Sequence, residues 1–304
     1  MGDFHCPMGA VFYDDEGCID CGLCVATTKE QMVEASRKIR EVLQARGGKP
    51  STSKKIAICG KGGTGKSTIV TLMANVLGED GYSVLVMDTD ESNPGLYRMF
   101  GFDRQPRPLM TLLERFSREP KPDSSWLNQS SISIPDIPAE HLLARDGLRF
   151  LMVGKIEDPF QGCACSMADV TREFAGKLLL KDKEVMLADM EGGTESFGRG
   201  TERSVDTVLI VVEPSFESLV LAEKISYMAE GIGVGRIRAV LNKIPSETVG
   251  IQLVEKLREK KIQVQGILPY DPQVSAAGLE GRPPGDSRAK EEVRKFTREL
   301  FPNF

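Results

Sequence analysis

The hydrophobic rhythm of the chain changes once, near residue 54. Downstream, short and mostly apolar runs, without polar alternation, are interspersed with helical patterns. The runs are 56–59, 83–87, 148–153, 185–188, 207–212, 238–241 and 264–268, most of them rich in Val, Ile and Leu. Strands that alternate apolar and polar residues have one wet face; uninterrupted ones are buried on both faces, as in parallel sheets. Helical periodicity occupies 67–77, 167–180, 216–229 and 290–300. The order predicts an α/β fold, a doubly wound and mostly parallel sheet with helices on both faces. The stretch 103–145 fits this rhythm poorly. It holds Pro106, Pro108, Pro120, Pro122, Pro135 and Pro138, and is expected to cover one side of the site.

Upstream of residue 54 the pattern differs. Residues 28–46 predict one amphipathic helix, with Thr28 and Gln31 as a capping box and Met32, Ala35, Ile39 and Val42 or Leu43 on one face. Gly47 is a natural stop, and 47–53 reads as a linker. Residues 1–27 are rich in Cys and Gly, with little periodicity. The expected division is therefore 1–27, a metal-binding segment; 28–53, helix and linker; and 54–304, the α/β domain.

Charge and cysteine usage narrow the chemistry. The chain carries 39 basic and 44 acidic residues, net charge −5. With no basic stripe, nucleic acid is not an expected partner. No apolar run approaches the ~20 residues of a membrane helix. Residues 1–8 lack the apolar stretch of a signal peptide, so a cytosolic protein is expected. There are 7 cysteines but only 2 histidines: His5, which precedes Cys6 and is either a neighbour of a metal ligand or solvent-exposed, and His141, for which the sequence suggests no role. In a reducing compartment disulfides are rare, so these cysteines point to thiolate–metal chemistry.

Gly60-Lys61-Gly62-Gly63-Thr64-Gly65-Lys66-Ser67, with Thr68 beyond it, follows a predicted strand and opens a predicted helix. It satisfies the phosphate-loop pattern, in which glycines let backbone N–H groups wrap phosphates at a helix N-terminus. Lys66 is expected to meet the β- and γ-phosphates and Ser67 a Mg²⁺ ion. Asp88-Thr89-Asp90 and Asp189 each close a predicted strand, and Asn242-Lys243 follow another. The guanine-reading pattern Asn-Lys-x-Asp is incomplete, since Ile244 and Pro245 follow, so ATP is the expected nucleotide.

Lys61 makes the loop resemble the deviant phosphate loop of the MinD and nitrogenase iron protein class. That resemblance implies a homodimer with ATP, in which Lys61 reaches the partner's nucleotide. It also implies that Asp90 orients the attacking water and accepts its proton, and that Asp189 is the Mg²⁺-linked acid. Glu191-Gly192-Gly193 resembles the second switch of the class, and Asn242 its base-reading residue.

Cys163-Ala164-Cys165 precedes a predicted helix. Two thiolates one residue apart leave a tetrahedral ion two ligands short; two copies related by dimer symmetry complete it. Such soft ligands suit Ni²⁺, Zn²⁺, Cu⁺ or a bridging iron–sulfur cluster, unless the pair is structural. Four further motifs follow the loop and this pair in order. They are Asp189-Met190-Glu191-Gly192-Gly193, Gly198-Arg199-Gly200-Thr201, Glu213-Pro214-Ser215 and Asn242-Lys243-Ile244. Together, over roughly 55–300, the chain resembles the CooC-type accessory ATPases of carbon monoxide dehydrogenase maturation. The resemblance implies a cysteine-held nickel ion shared by a dimer and delivered to that enzyme at the expense of ATP.

Cys18-Ile19-Asp20-Cys21-Gly22-Leu23-Cys24, with Cys6-Pro7 upstream, resembles half of a bacterial ferredoxin. Cys6, Cys18, Cys21 and Cys24 would hold one [4Fe–4S] cluster, with a zinc site as the rival reading. An electron donor to that cluster is a possible partner. Cys59, inside the first strand, reads as a small buried hydrophobe.

The expected function is an ATP-hydrolysing metallochaperone. The main alternative is an ATP-gated electron-transfer protein like the nitrogenase iron protein, with a [4Fe–4S] cluster bridging the dimer at Cys163 and Cys165. A further one is an iron–sulfur scaffold or non-catalytic ATP switch. A MinD-like membrane positioner is disfavoured, because 290–304 lacks a strong basic amphipathic face.

Overall fold

A computed structural model describes residues 30, 31, 34, 54–91, 93, 95–113, 124–155, 164–198 and 204–301. Glu30, Gln31 and Glu34 are helical and exposed. The rest of the predicted N-terminal helix, the linker and the cysteine-rich segment lie outside the described residues.

All seven predicted strands form. They are β1 (Lys55–Gly60), β2 (Ser83–Asp88), β4 (Leu148–Met152), β5 (Glu184–Asp189), β6 (Thr207–Val212), β7 (Arg236–Ile244) and β8 (Val264–Pro269). With the short strand β3 (Leu143–Arg145), the sheet order is β3-β4-β2-β5-β1-β6-β7-β8. Only β3 runs antiparallel, against β4, at one edge. It falls inside the proline-rich stretch and is three residues long, too short to show a period.

Successive strand residues point to opposite faces, so an apolar run feeds two cores at once. In β6, Val208, Ile210 and Val212 join one core and Leu209 and Val211 the other. Helices α1 (Lys66–Glu79) and α8 (Arg288–Leu300) cover the second face through Ile69, Met73, Val293 and Phe296. Helices α3 (Ala164–Lys177) and α5 (Phe216–Gly231) cover the first through Val170, Phe174, Leu219 and Ile225. The remaining α-helices are α2 (Leu96–Met99), α4 (Glu195–Gly198), α6 (Glu247–Glu259) and α7 (Pro272–Glu280).

The structure adds to one expectation and changes another. Residues of the stretch 103–145 also belong to the core, which the sequence pattern does not show: Leu109, Trp126, Ile132 and Ile134 share a core cluster with Phe174 of α3. Helix α8 is strongly amphipathic after all. Its apolar face is taken by the core, and its cations Lys290 and Arg294 are tied to Glu79 of α1, at 2.7 Å for Lys290. Among the described residues no helix is long and apolar enough to cross a membrane.

Candidate nucleotide site

The parallel strands β4, β2, β5, β1 and β6 all end at one edge of the sheet. Open α/β sheets bind ligands outside such carboxyl ends, where the strand order reverses. Here it reverses at β1, and the Gly60–Ser67 loop leaves from there to enter α1. Gly65, the N-cap of α1, is left-handed at φ 93°, and no side chain caps the first turn among the described residues. The first-turn amides are therefore available to an anion, with the helix dipole behind them. A side chain at residue 65 is also excluded by space, since its Cβ would lie 2.4 Å from Asn242 Nδ2. Lys66 and Thr64 are buried, and Thr64 donates to the carbonyl of Lys61 through N (3.3 Å) and Oγ1 (2.9 Å).

One wall of the site is acidic and buried. Asp88 and Asp189 face each other in register at the ends of β2 and β5. Ser67 Oγ donates to Asp189 Oδ2 at 2.6 Å and itself accepts from Asn93 Nδ2 at 2.9 Å. Asp189 Oδ1 is buried and has no hydrogen-bond partner among the described residues. Burial, reinforced by the charge of Asp88, pushes the Asp189 carboxyl up to about 7 against the opposing Ser67 bond and Lys66 charge. Burial likewise raises Asp88 to about 6, opposed by Lys155. An orphaned carboxylate oxygen beside a serine hydroxyl is a donor set that a hard divalent cation fits, since Mg²⁺ takes oxygen ligands through one or two carboxylates. Asp90 is buried next to them.

The opposite rim is half open. Lys61 Nζ lies 3.6 Å from Glu213, and Lys243 Nζ lies 3.4 Å from the same carboxylate while donating to the carbonyl of Gly63. Asn242 and Lys243 lie within β7 rather than after it. The register of β7 against β8 breaks between Leu241 and Ile244, and Lys243 is left-handed at φ 58°. Asn242 Nδ2 donates to the carbonyl of Thr64 at 2.8 Å, so this side chain braces the phosphate loop. It also lines a cavity of about 230 Å³ with Gly65, Thr68, Pro269, Tyr270 and Asp271. The Glu191-Gly192-Gly193 segment packs directly on the loop. Gly193 N donates to the Gly60 carbonyl at 3.3 Å, and a Cβ on Gly192 would lie 2.9 Å from Gly62 N.

The cysteines divide. Cys59 is buried in the core beneath the loop. Cys165 falls in the first turn of α3, which starts three residues before the helix predicted at 167; its side chain and all of Cys163 lie outside the described residues. So do Cys6, Cys18, Cys21 and Cys24. Among the described residues no group of three or more His, Cys, Asp or Glu could hold a metal ion.

Two residues of the site escaped the sequence reading, Asn93 and Lys155. Asn93 stands in an irregular loop. Lys155 had one signal, a lysine shortly after an apolar strand; its meaning depends on β4 lying beside β2.

A phosphate loop at the switch point of a parallel sheet, with a paired serine and strand-end aspartate, defines a P-loop ATPase. Residues 55–284 match the family described as the CobQ/CobB/MinD/ParA nucleotide binding domain, and the chain belongs to that family. It is 38 % identical over 234 residues to the ATP-binding protein MJ0084 of Methanocaldococcus jannaschii, covering 75 % of this chain and 92 % of that one. It is 33 % identical over 234 residues to the carbon monoxide dehydrogenase accessory protein CooC of Rhodospirillum rubrum, covering 75 % and 88 %. Among solved structures, the septum site-determining protein MinD of Pyrococcus horikoshii, complexed with Mg-ADP, shares the fold. Its TM-score is 0.61 at 18 % identity, over 81 % of this chain and 95 % of that one.

Proposed function

We propose that this ATPase is a CooC-like metallochaperone, which dimerises with ATP and delivers nickel, as cargo, to carbon monoxide dehydrogenase. The observation that supports the reading is the short stretch of sequence between the nucleotide site and the Cys163/Cys165 pair. Lys155, bonded to Asp88 and to the backbone of Asp90, is nine residues from Ala164, where the helix containing Cys165 begins. A change at the nucleotide has a short covalent path to the metal-binding segment. The relationship to CooC supports the same assignment.

In this reading the amides of Gly60–Ser67 hold the phosphates, and Lys66 neutralises the β- and γ-oxygens. Ser67 and Asp189 would hold Mg²⁺, which supplies charge neutralisation at the phosphates when bound. Asp90 accepts a proton from water as the water oxygen bonds to the γ-phosphorus and the bond to the ADP oxygen breaks. Lys61 exchanges Glu213 for the nucleotide of a second subunit. Asn242 and the adjoining cavity receive the base. Cys163 and Cys165 of two subunits ligate one Ni²⁺ or, on the same sulfurs, Zn²⁺. Cys6, Cys18, Cys21 and Cys24 hold a [4Fe–4S] cluster in a separate N-terminal segment, 1–27, connected through 28–53 to the ATPase domain.

The test is a Ni²⁺ titration of anaerobically purified protein, with and without ATP, following mass in solution. One ion per two chains is expected, bound more tightly with ATP and lost in Cys163→Ala or Cys165→Ala. One tightly held ion per chain, indifferent to ATP, would defeat the shared site. Iron near roughly six per chain, rather than four, would indicate a bridging cluster and favour electron transfer.

A further inference from the structure

The acidic wall contains a cation to which the scheme above gives no chemical task. The Lys155 side chain is 4 % exposed and that of Asp88 2 %. Lys155 Nζ lies 2.8 Å from each carboxylate oxygen of Asp88 and also donates to the carbonyl of Asp90. The N–H of Asp90 donates to Asp88 Oδ1 at 3.2 Å, which closes a ring of bonds around the turn. From the other side, Thr89 donates to the carbonyl of Asp189 through N (3.0 Å) and Oγ1 (2.8 Å). The turn that ends β2 is therefore pinned from both sides, by Asp189 at the end of β5 and by Lys155, three residues beyond β4.

We propose that Lys155 is a positioning residue for ATP hydrolysis, fixing the backbone of Asp90 so that its carboxylate meets the attacking water. The inference rests on the reading of Asp90 given above. An ammonium group has three donors and no acceptor. It serves two carboxylate oxygens and a carbonyl at once, which matches this ring. A charge pair at such depth is a poor device for stability alone, because apolar residues often replace one without loss. What an apolar residue cannot do is hold the Asp90 carbonyl.

The experiment compares Lys155→Met with the double variant Lys155→Met/Asp88→Asn. Measurements are urea unfolding, affinity for a fluorescent ATP analogue with Mg²⁺, and hydrolysis. Lys155→Met is expected to lower kcat roughly 10- to 100-fold, the range for a misplaced reacting group. Nucleotide Kd should stay within about 3-fold, since the loss falls on the chemical step. The double variant removes the unpaired charge and should regain most of the unfolding midpoint, yet kcat should remain low because the carbonyl anchor is still missing. If the double variant regains kcat together with stability, Lys155 only balances charge and the inference is overturned. Should Lys155→Met fail to fold, the double variant decides alone. Asp90→Asn is measured alongside. Wild-type turnover there removes the reading of Asp90, whereas a dead Asp90→Asn with a fully active double variant overturns the role of Lys155 only.

Discussion

The two walls of the nucleotide site use the same charges at different depths. On the inner wall Lys155 and Asp88 meet at 2.8 Å, both nearly inaccessible to water. On the rim, Lys61 and Lys243 reach Glu213 at 3.6 and 3.4 Å, with the two lysine side chains 38 % and 43 % exposed. A solvent-exposed pair is worth about 0–1 kcal/mol, so it exchanges partners readily. Breaking a buried pair by deleting one member costs about 3–5 kcal/mol, because the other charge is stranded. The inner wall is thus set before nucleotide arrives, and the rim is free to be rearranged by it. That division suits a site whose chemistry is fixed in one chain and whose trigger comes from a second.

The largest effect that would break this comparison concerns stability. Lys155→Met should lower the unfolding free energy of the ligand-free protein by about 3–5 kcal/mol in urea titrations. A loss below about 1 kcal/mol would place the inner pair in the same class as the rim. Next in size is hydrolysis. Lys61→Ala should leave ATP binding largely intact while turnover falls at least ~100-fold, since the transition state loses a cation. Unchanged turnover would make Lys61 a rim residue and nothing more. The smallest effect is that of Glu213→Ala, which should change stability by no more than about 1 kcal/mol in the same titrations. A larger loss would mean that the rim, too, is a fixed structural element.

The phosphate loop was legible in sequence because its chemistry is local. Eight consecutive residues between an apolar run and a helical pattern are enough. Most strands were legible because a buried parallel strand is a mostly apolar run without polar alternation; β4, with Arg149, and β8, with Gln265, carry that signal less cleanly. What escaped was what the strand order brings together. Lys155 is 67 residues from Asp88, and the two meet only because β4 pairs with β2. Asn93 is likewise visible only once the turn after β2 folds back on Ser67. Asn242 was legible as a residue of the site, but its bond to Thr64 depends on the irregular end of β7, which no short-range pattern signals. In the stretch 103–145 the core residues Leu109, Trp126, Ile132 and Ile134 were not legible, because they join the core from proline-rich sequence without a regular period.

The central claim is that each nucleotide site takes Asp90 from one chain and Lys61 from another. Mixing Lys61→Ala subunits with Asp90→Asn subunits, each inactive alone, tests it directly. A mixed dimer contains one intact composite site, so an equal, freely exchanging mixture should recover about a quarter of wild-type ATP hydrolysis, by the counting of a two-fold assembly. If the mixture stays as inactive as its parts while exchange is shown by mass, Lys61 and Asp90 serve the same chain and the shared site is wrong.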